Sequence, residues 1–329
     1  MLVLTSVGEL AAILNTSSGD LFRVADRVNE LVQVYELIDP SHPSRKNRIV
    51  LCPIGKLRRL QTQLLRALFR RRLPRSKFSF GGVPGRNAVQ NARRHLHSRY
   101  AYTTDIQDFF PSISFWQLRQ EFQSRLKCSQ EVSQLLARLC THDGNLAQGL
   151  ITSPILADQL MRRCDARIAG ICEQHDLTYS RFVDDITVSG SFPLDLDSSW
   201  IVQFIRRIIA DCQFAIAGRK EKSGELASGE ISITGLRQLR GHLDPVADYV
   251  TGVEERLEDH RRLGLGESFA GPLFMRPQLC GRVNYICGIN PGRSRVLRQR
   301  LGNIDWDGVQ RNATERGLLV CKKTLRPVR

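Results

Sequence analysis

The chain has 329 residues, 42% hydrophobic and 25% charged, which excludes a disordered polymer and allows two or three domains. Lys and Arg outnumber Asp and Glu by 48 to 33, a net charge of +15 that predicts a polyanionic partner. No stretch approaches the roughly 18 apolar residues of a membrane span, the N-terminus lacks a basic leader, and nine cysteines include no C-x-x-C pair, so a cytoplasmic protein with free thiols and no membrane contact is expected.

Residues 5–38 carry helical periodicity, with Thr5 or Ser6 as a cap and Leu21, Val24, Val28, Leu31 and Val32 along one face. A loop rich in turn formers, DPSHPSRK, leads to a short β-prone run at 48–52 ending before Pro53. Residues 56–73 predict an amphipathic helix on Leu57, Leu60, Leu64, Leu65 and Leu68. SFGGVPGR (79–86) is a glycine-rich loop, and 87–100 reads as helix. A strand is predicted over 101–109, turning at Pro111, then helix over 114–139, a loop at 149–153 and a long helix over 154–173. Two short strands, 179–183 and 186–189, flank Asp184-Asp185. Helix follows at 200–212, a short strand at 231–233, and helices over 246–263 and 281–306, the last around Pro291-Gly292.

Basic residues concentrate near the two ends. Residues 40–104 hold 16 Lys or Arg and no acid, and the last 50 residues hold 11 basic against 3 acidic. A charge run is commonly only a solvated face, but 65 residues without an acid favour a nucleic-acid or nucleotide surface.

The chemistry falls between them. SRFVDDITVSG places two adjacent acids at the tip of a predicted hairpin. Alone, such a pair reads as an exposed turn. Asp105, at the end of the earlier strand in YAYTTDIQDFFPSI, changes the reading. An acid ending one strand and an acid pair at a neighbouring hairpin can converge on two divalent ions, which suit hard oxygen ligands and in-line phosphoryl displacement.

Asp105 with Phe109, Phe110 and Pro111, then Gln148-Gly149 with Ser153-Pro154, then Phe182-Val183-Asp184-Asp185 resemble the ordered palm motifs of reverse transcriptases. Arg48-Ile49 with Pro53, Leu57 and Gln61 resembles the fingers of the bacterial members. Asn91-Ala92-Arg93-Arg94-His95 resembles the Asn-Ala-x-x-His element of retron reverse transcriptases, Ile233-Thr234-Gly235-Leu236 their Val-Thr-Gly element, and LCGRVNYICGINPGRSRVLRQRLGNIDW their thumb. Val250-Thr251-Gly252 is a second candidate for the Val-Thr-Gly element.

The resemblance implies an α+β right hand: N-terminal helices and fingers over 1–100, a palm over 101–236 with an antiparallel sheet and a helical insertion at about 114–147, and a basic, mostly helical thumb over 237–329. It implies that Asp105, Asp184, Asp185 and the Ile106 carbonyl hold two Mg²⁺ ions, or Mn²⁺ in their place. Arg48, Phe110, Gln148, Gly149 and Lys220 would bind the nucleotide, Phe110 excluding a ribose 2′-OH unless it only packs, with Lys222 competing for the lysine role. Arg45, Lys46, Asn91, His95, Thr234, Gly235, Arg293 and Arg295 would contact nucleic acid; His95 could instead organise the fingers–palm join. Tyr285 and Trp306 could stack on bases or pack within the thumb.

The implied function is RNA-directed DNA synthesis on a structured non-coding RNA that is both template and primer, using dNTPs and leaving an RNA–DNA product, in antiphage defence beside an effector protein encoded nearby. The alternatives are another defence-associated reverse transcriptase with different priming or template-free synthesis, and a non-catalytic RNA-binding scaffold. The chain departs from the family's usual Tyr-Ala-Asp-Asp at Phe182 and Val183, and from its usual Asn before the palm lysine at Ala217.

Overall fold

The computed structural model describes residues 4–38, 47–239, 241–321 and 324–328. The chain divides into two compact units, residues 1–36 with 48–224 and 326–329, and residues 37–47 with 225–325. The break at 224/225 lies ahead of the palm–thumb boundary expected at 236/237.

In the first unit, α1 (Val7–Ile13) begins at Ser6, whose side chain and that of Glu9 cap each other's backbone N–H groups. Helix α2 (Ser18–Asp26) follows. Residues 32–38, expected to be helical, instead form strand β1 (Val32–Ile38). The run VQVYELI alternates and is rich in β-branched and aromatic side chains, and a 3₁₀ turn at Asn29–Leu31 ends the helical period before it. Strand β2 (Arg48–Pro53) neighbours β1. Helix α3 (Gly55–Gln63) continues through a π-helical stretch, Leu64–Phe69, into α4 (Arg70–Arg72). Within 87–100 only α5 (Ala88–Arg93) is regular helix, capped by Asn87 and Gln90.

Strand β3 (Tyr100–Asp105) enters the central sheet. The region 114–139 is two helices, α6 (Phe115–Arg125) and α7 (Gln130–Cys140). Lys127 at φ +54° reverses the chain between them, and Ser129 caps the second. Helix α8 (Ser153–Gln174) starts with proline in its first turn and buries Ile155, Leu156, Met161, Cys164 and Ile168. Strands β4 (Thr178–Phe182) and β5 (Asp185–Gly190) form the expected hairpin. Helix α9 (Trp200–Asp211) leads to β6 (Lys222–Glu225), and the sheet order is β4-β5-β3-β6. This order puts the hairpin directly beside β3. One apolar core runs through the unit from Leu4 to Phe214, each fully buried Leu or Ile contributing about 1.5–3 kcal/mol.

In the second unit, residues 231–233 are not a strand; Ile233 makes a single bridge to Leu236 across the Thr234-Gly235 turn. The paired strands are β7 (Leu236–Leu239) and β8 (His242–Pro245). Helices α10 (Ala247–Gly264), α11 (Arg276–Ile289), α12 (Ser294–Gly302) and α13 (Trp306–Glu315) enclose a core around Val253, Leu257, Leu279, Val283 and Leu297. After β9 (Thr324–Pro327), Val328 N–H donates to the Val34 carbonyl at 3.0 Å, so the end of the chain returns to the first unit. Among the described residues, no helix is long and apolar enough to cross a membrane.

Candidate active site

The β4–β5 hairpin closes through Phe182 opposite Asp185, leaving Val183 and Asp184 as its two loop residues. Asp185 is also in register with Asp105 on β3. The ladder therefore sets two carboxylates face to face, and the turn adds a third. One oxygen from each of Asp105, Asp184 and Asp185 lies within 4.8 Å of the others. Ile106 N–H donates to the Asp184 carbonyl at 3.1 Å, tying the turn to β3.

Like charges directly opposite on a sheet repel. Burial, and then the charges of Asp184 and Asp105, push the Asp185 carboxyl up to about 7. Burial and the Asp105 charge also raise Asp184, opposed by Lys220 and Arg48. Lys220 Nζ sits 2.9 Å from Asp105 Oδ2, and that contact raises the lysine's own pKa. Of the two lysines considered from sequence, Lys220 thus reaches the cluster. Three clustered hard oxygen donors fit Mg²⁺ or Mn²⁺, whose charge would relieve the same repulsion.

The loop expected to line a nucleotide pocket is clamped by backbone. Leu51 N–H donates to the Gln148 carbonyl at 2.8 Å, so β2 crosses directly over Gln148-Gly149. Gly149 has φ +105°, and a Cβ there would lie 2.6 Å from the Leu51 carbonyl oxygen. Arg48 is exposed at the start of that strand. The Phe110 ring is half-buried against Phe109, centroids 5.4 Å apart.

Asn91 and His95, expected on nucleic acid, are buried at 1% exposure each. His95 Nδ1 is 2.7 Å from Ser189 Oγ and Nε2 is 2.7 Å from Ser180 Oγ. Ser189 Oγ is in turn 2.8 Å from Ser98 Oγ, so the neutral ring, with one nitrogen donating and the other accepting, is satisfied on both sides by hydroxyls. The ring bridges the strands β4 and β5 behind the acidic turn. Burial, and then Arg94, lower its pKa to about 3. The unfolded chain binds a proton near the ordinary 6.5 that the folded chain refuses, so stability falls as pH drops from 6.5 toward 3, by about 1.4 kcal/mol per unit. His95→Ala is expected to cost about 2–4 kcal/mol in urea unfolding at pH 8 and to flatten this acid limb.

Arg45 and Lys46 lie outside the described residues. Thr234, Gly235, Arg293 and Arg295 belong to the second unit. Thr234 at φ +50° and Gly235 at φ +78° form a turn. Arg293 is committed to Asp244, with Nε 3.1 Å and Nη2 3.0 Å from its two oxygens, while Arg295 is exposed on α12. Tyr285 meets Tyr249 edge-on at 5.6 Å, and Trp306 packs near His260 at 6.0 Å.

Two supporting networks were not anticipated from sequence. Glu221, next to Lys220, accepts from Tyr102 Oη at 2.5 Å and from Arg206 Nε at 3.0 Å. Arg181, 1% exposed, lies between Asp158 and Asp165 of α8 and donates to the Val183 carbonyl at 2.7 Å. A signal existed for the second network: Asp158 and Asp165 are seven apart on one helix face, and Tyr179 and Arg181 share one face of a strand.

A family model described as reverse transcriptase (RNA-dependent DNA polymerase) matches residues 40–236, more than half of the chain. The chain belongs to the reverse transcriptase family. Among relatives of this reverse transcriptase, Retron Ec48 reverse transcriptase of Escherichia coli is 28% identical over 71% of the chain and 59% of its own length. Retron Mx65 reverse transcriptase of Myxococcus xanthus is 32% identical over 55% of the chain and 47% of its own length. Retron Ec73 reverse transcriptase of Escherichia coli is 26% identical over 79% of the chain and 84% of its own length. The matches thus span about half to three-fifths of the first two relatives. The family implies a palm, fingers and thumb, and the mixed helices and antiparallel sheets described above are consistent with it.

Proposed function

We propose that the chain is a retron-type RNA-directed DNA polymerase that extends DNA on a cognate structured non-coding RNA. The observation that carries this reading is the register of Asp105 against Asp185 with Asp184 in the adjoining turn. Two Mg²⁺ ions held by these carboxylates and the Ile106 carbonyl would activate the attacking hydroxyl and neutralise the leaving pyrophosphate.

The chain's own groups supply the rest. Lys220, already beside Asp105, would add positive charge and a proton at the pyrophosphate oxygens. Arg48, close enough to bias Asp184, would grip the triphosphate through its fork of donors. Gln148-Gly149 would let backbone approach the base and sugar. The acid-free run 40–104 would hold the RNA phosphates, and on the second unit Arg295 and its basic neighbours would contact nucleic acid. In this reading residues 1–100 are fingers, 101–236 palm and 237–329 thumb. The same reading carries an RNA partner, a covalent RNA–DNA product, a role in antiphage defence and a neighbouring effector as what the resemblance of the motifs to retron reverse transcriptases implies.

Phe110→Ala is expected to raise ribonucleotide incorporation relative to dNTPs by about 10-fold or more, because a ring beside the sugar rejects the 2′-OH sterically; paired primer-extension rates check it. The reading itself is tested with the purified full chain and its co-purifying nucleic acid, given Mg²⁺ and labelled dNTPs. A DNase-sensitive product that shortens slightly with RNase supports it. DNA without attached RNA indicates another priming mode. Tight RNA binding with no incorporation by the wild type overturns it in favour of a scaffold.

A further inference from the structure

The hairpin that carries Asp184 and Asp185 is held in an unfavourable backbone conformation. Val183, its first loop residue, has φ +61°. A β-branched residue is a genuine outlier there, and such strain persists only where the surroundings enforce it. Two contacts surround Val183. Gly81 gives it room, since a Cβ on Gly81 would come within 2.5 Å of Val183 Cγ2. Arg181 Nη1 donates to its carbonyl at 2.7 Å.

Arg181 is itself fixed on every side. Its Nε donates to Asp165 Oδ1 at 2.8 Å and its Nη2 to Asp165 Oδ2 at 2.9 Å and Asp158 Oδ1 at 2.8 Å. Asp165 also accepts from Tyr179 Oη at 2.7 Å, and Asp158 from Ser76 N–H at 3.3 Å. The Arg181 backbone bonds to Phe78 O at 2.9 Å and Phe80 N–H at 2.8 Å. Both carboxylates are at most 3% exposed. A single forked guanidinium therefore links the long helix α8 to one carbonyl in the acidic turn.

We propose that Arg181 is a positioning residue for the carboxylate cluster: anchored on Asp158 and Asp165, it holds the Val183 carbonyl and keeps the turn in the left-handed geometry that brings Asp184 and Asp185 to Asp105. It touches neither ion nor substrate. Lysine keeps the charge but lacks the fork, so it cannot hold both aspartates and the carbonyl together. Glycine at 183 adopts positive φ freely and so needs no enforcement.

The inference rests on the polymerase reading only for its activity measurement. Mn²⁺ binding to the full chain, followed by the loss of the free-ion electron paramagnetic resonance signal, tests it without any synthesis. Arg181→Lys is expected to weaken Mn²⁺ binding about 10- to 100-fold, as loss of an outer support typically does. In the same variant, the Mg²⁺ needed for half-maximal incorporation rises in parallel while the dNTP KM stays nearly unchanged. Introduced into Val183→Gly, the same Arg181→Lys change is expected to cost only about 3-fold, the difference being the coupling between the two sites. If Arg181→Lys does not fold, Asp158→Asn/Asp165→Asn/Arg181→Met removes the buried charges together and is compared with and without Val183→Gly. Unchanged Mn²⁺ affinity in a folded variant, or the same loss with and without Val183→Gly, overturns the inference. A wild type that binds Mn²⁺ with this coupling but makes no DNA overturns the polymerase reading alone.

Discussion

Asp105→Ala, Asp184→Ala and Asp185→Ala are each expected to reduce Mg²⁺-dependent dNTP incorporation by about 10³-fold or more, a loss of roughly 4 kcal/mol in the barrier, as where charge stabilisation dominates. Single-turnover extension on a preformed primer–template separates this loss from weaker nucleic-acid binding. The same cluster should show an opposite effect on stability. Burial and the neighbouring Asp184 and Asp105 push the folded Asp185 carboxyl up to about 7, above the ordinary 3.8 of the unfolded chain. Between those values the folded chain binds more protons, so this group's contribution is fully present below 3.8 and lost as pH rises through 7. Without divalent ions at pH 8, Asp185→Asn should therefore melt a few degrees higher than wild type, on the order of 2–4 °C per kcal/mol. Mg²⁺ should raise the wild-type melting temperature and leave the variant's nearly unchanged, since only the intact cluster gains from the ion. An inactive variant with wild-type melting in both conditions would argue that the three carboxylates do not share an ion.

What was legible from sequence follows how local each signal is. Asp184-Asp185 between two β-prone runs is a contiguous pattern, and its hairpin is confirmed. That Asp105 and the Asp184-Asp185 pair converge is legible from an acid at a strand end and an acid pair at a hairpin tip, but the pairing of Asp105 with Asp185 depends on register across 80 residues and has no local signal. Residues 32–38 misled because Leu31 and Val32 satisfy a helical period, whereas the alternation that decides for strand begins only at Val32. Burial was the least legible property. His95 and Arg293 are polar residues in basic stretches, yet Ser180 and Ser189 enclose the first and Asp244 engages the second. The burial of Arg181 is illegible for the same reason: its partners on α8 meet it only once helix and sheet have packed.

Gly149→Ala is expected to reduce incorporation by about 10²-fold and to raise the dNTP KM, although it adds one methyl group to a residue that touches no ion. Two costs combine. A non-glycine residue at φ +105° carries strain of about 1–3 kcal/mol. The new Cβ also meets backbone, 2.6 Å from Leu51 O and 2.9 Å from Leu51 N, and backbone cannot swing aside as a side-chain tip can. The relief is to push β2 away, which breaks the 2.8 Å bond from Leu51 N–H to the Gln148 carbonyl. Arg48 stands three residues earlier on that strand and is one of the two cations that oppose the raised pKa of Asp184. Moving β2 therefore shifts a triphosphate-binding candidate relative to the carboxylates, which explains why a packing change should appear in the nucleotide KM. Gly85→Ala separates the two costs. Gly85 has φ +76° with nothing within 4 Å of its would-be Cβ, so it carries the conformational strain without the collision. A loss confined to melting temperature in Gly85→Ala, beside a loss of nucleotide affinity in Gly149→Ala, would place the effect in the contact between β2 and the Gln148-Gly149 loop. Equal effects at both positions would assign it to backbone strain alone.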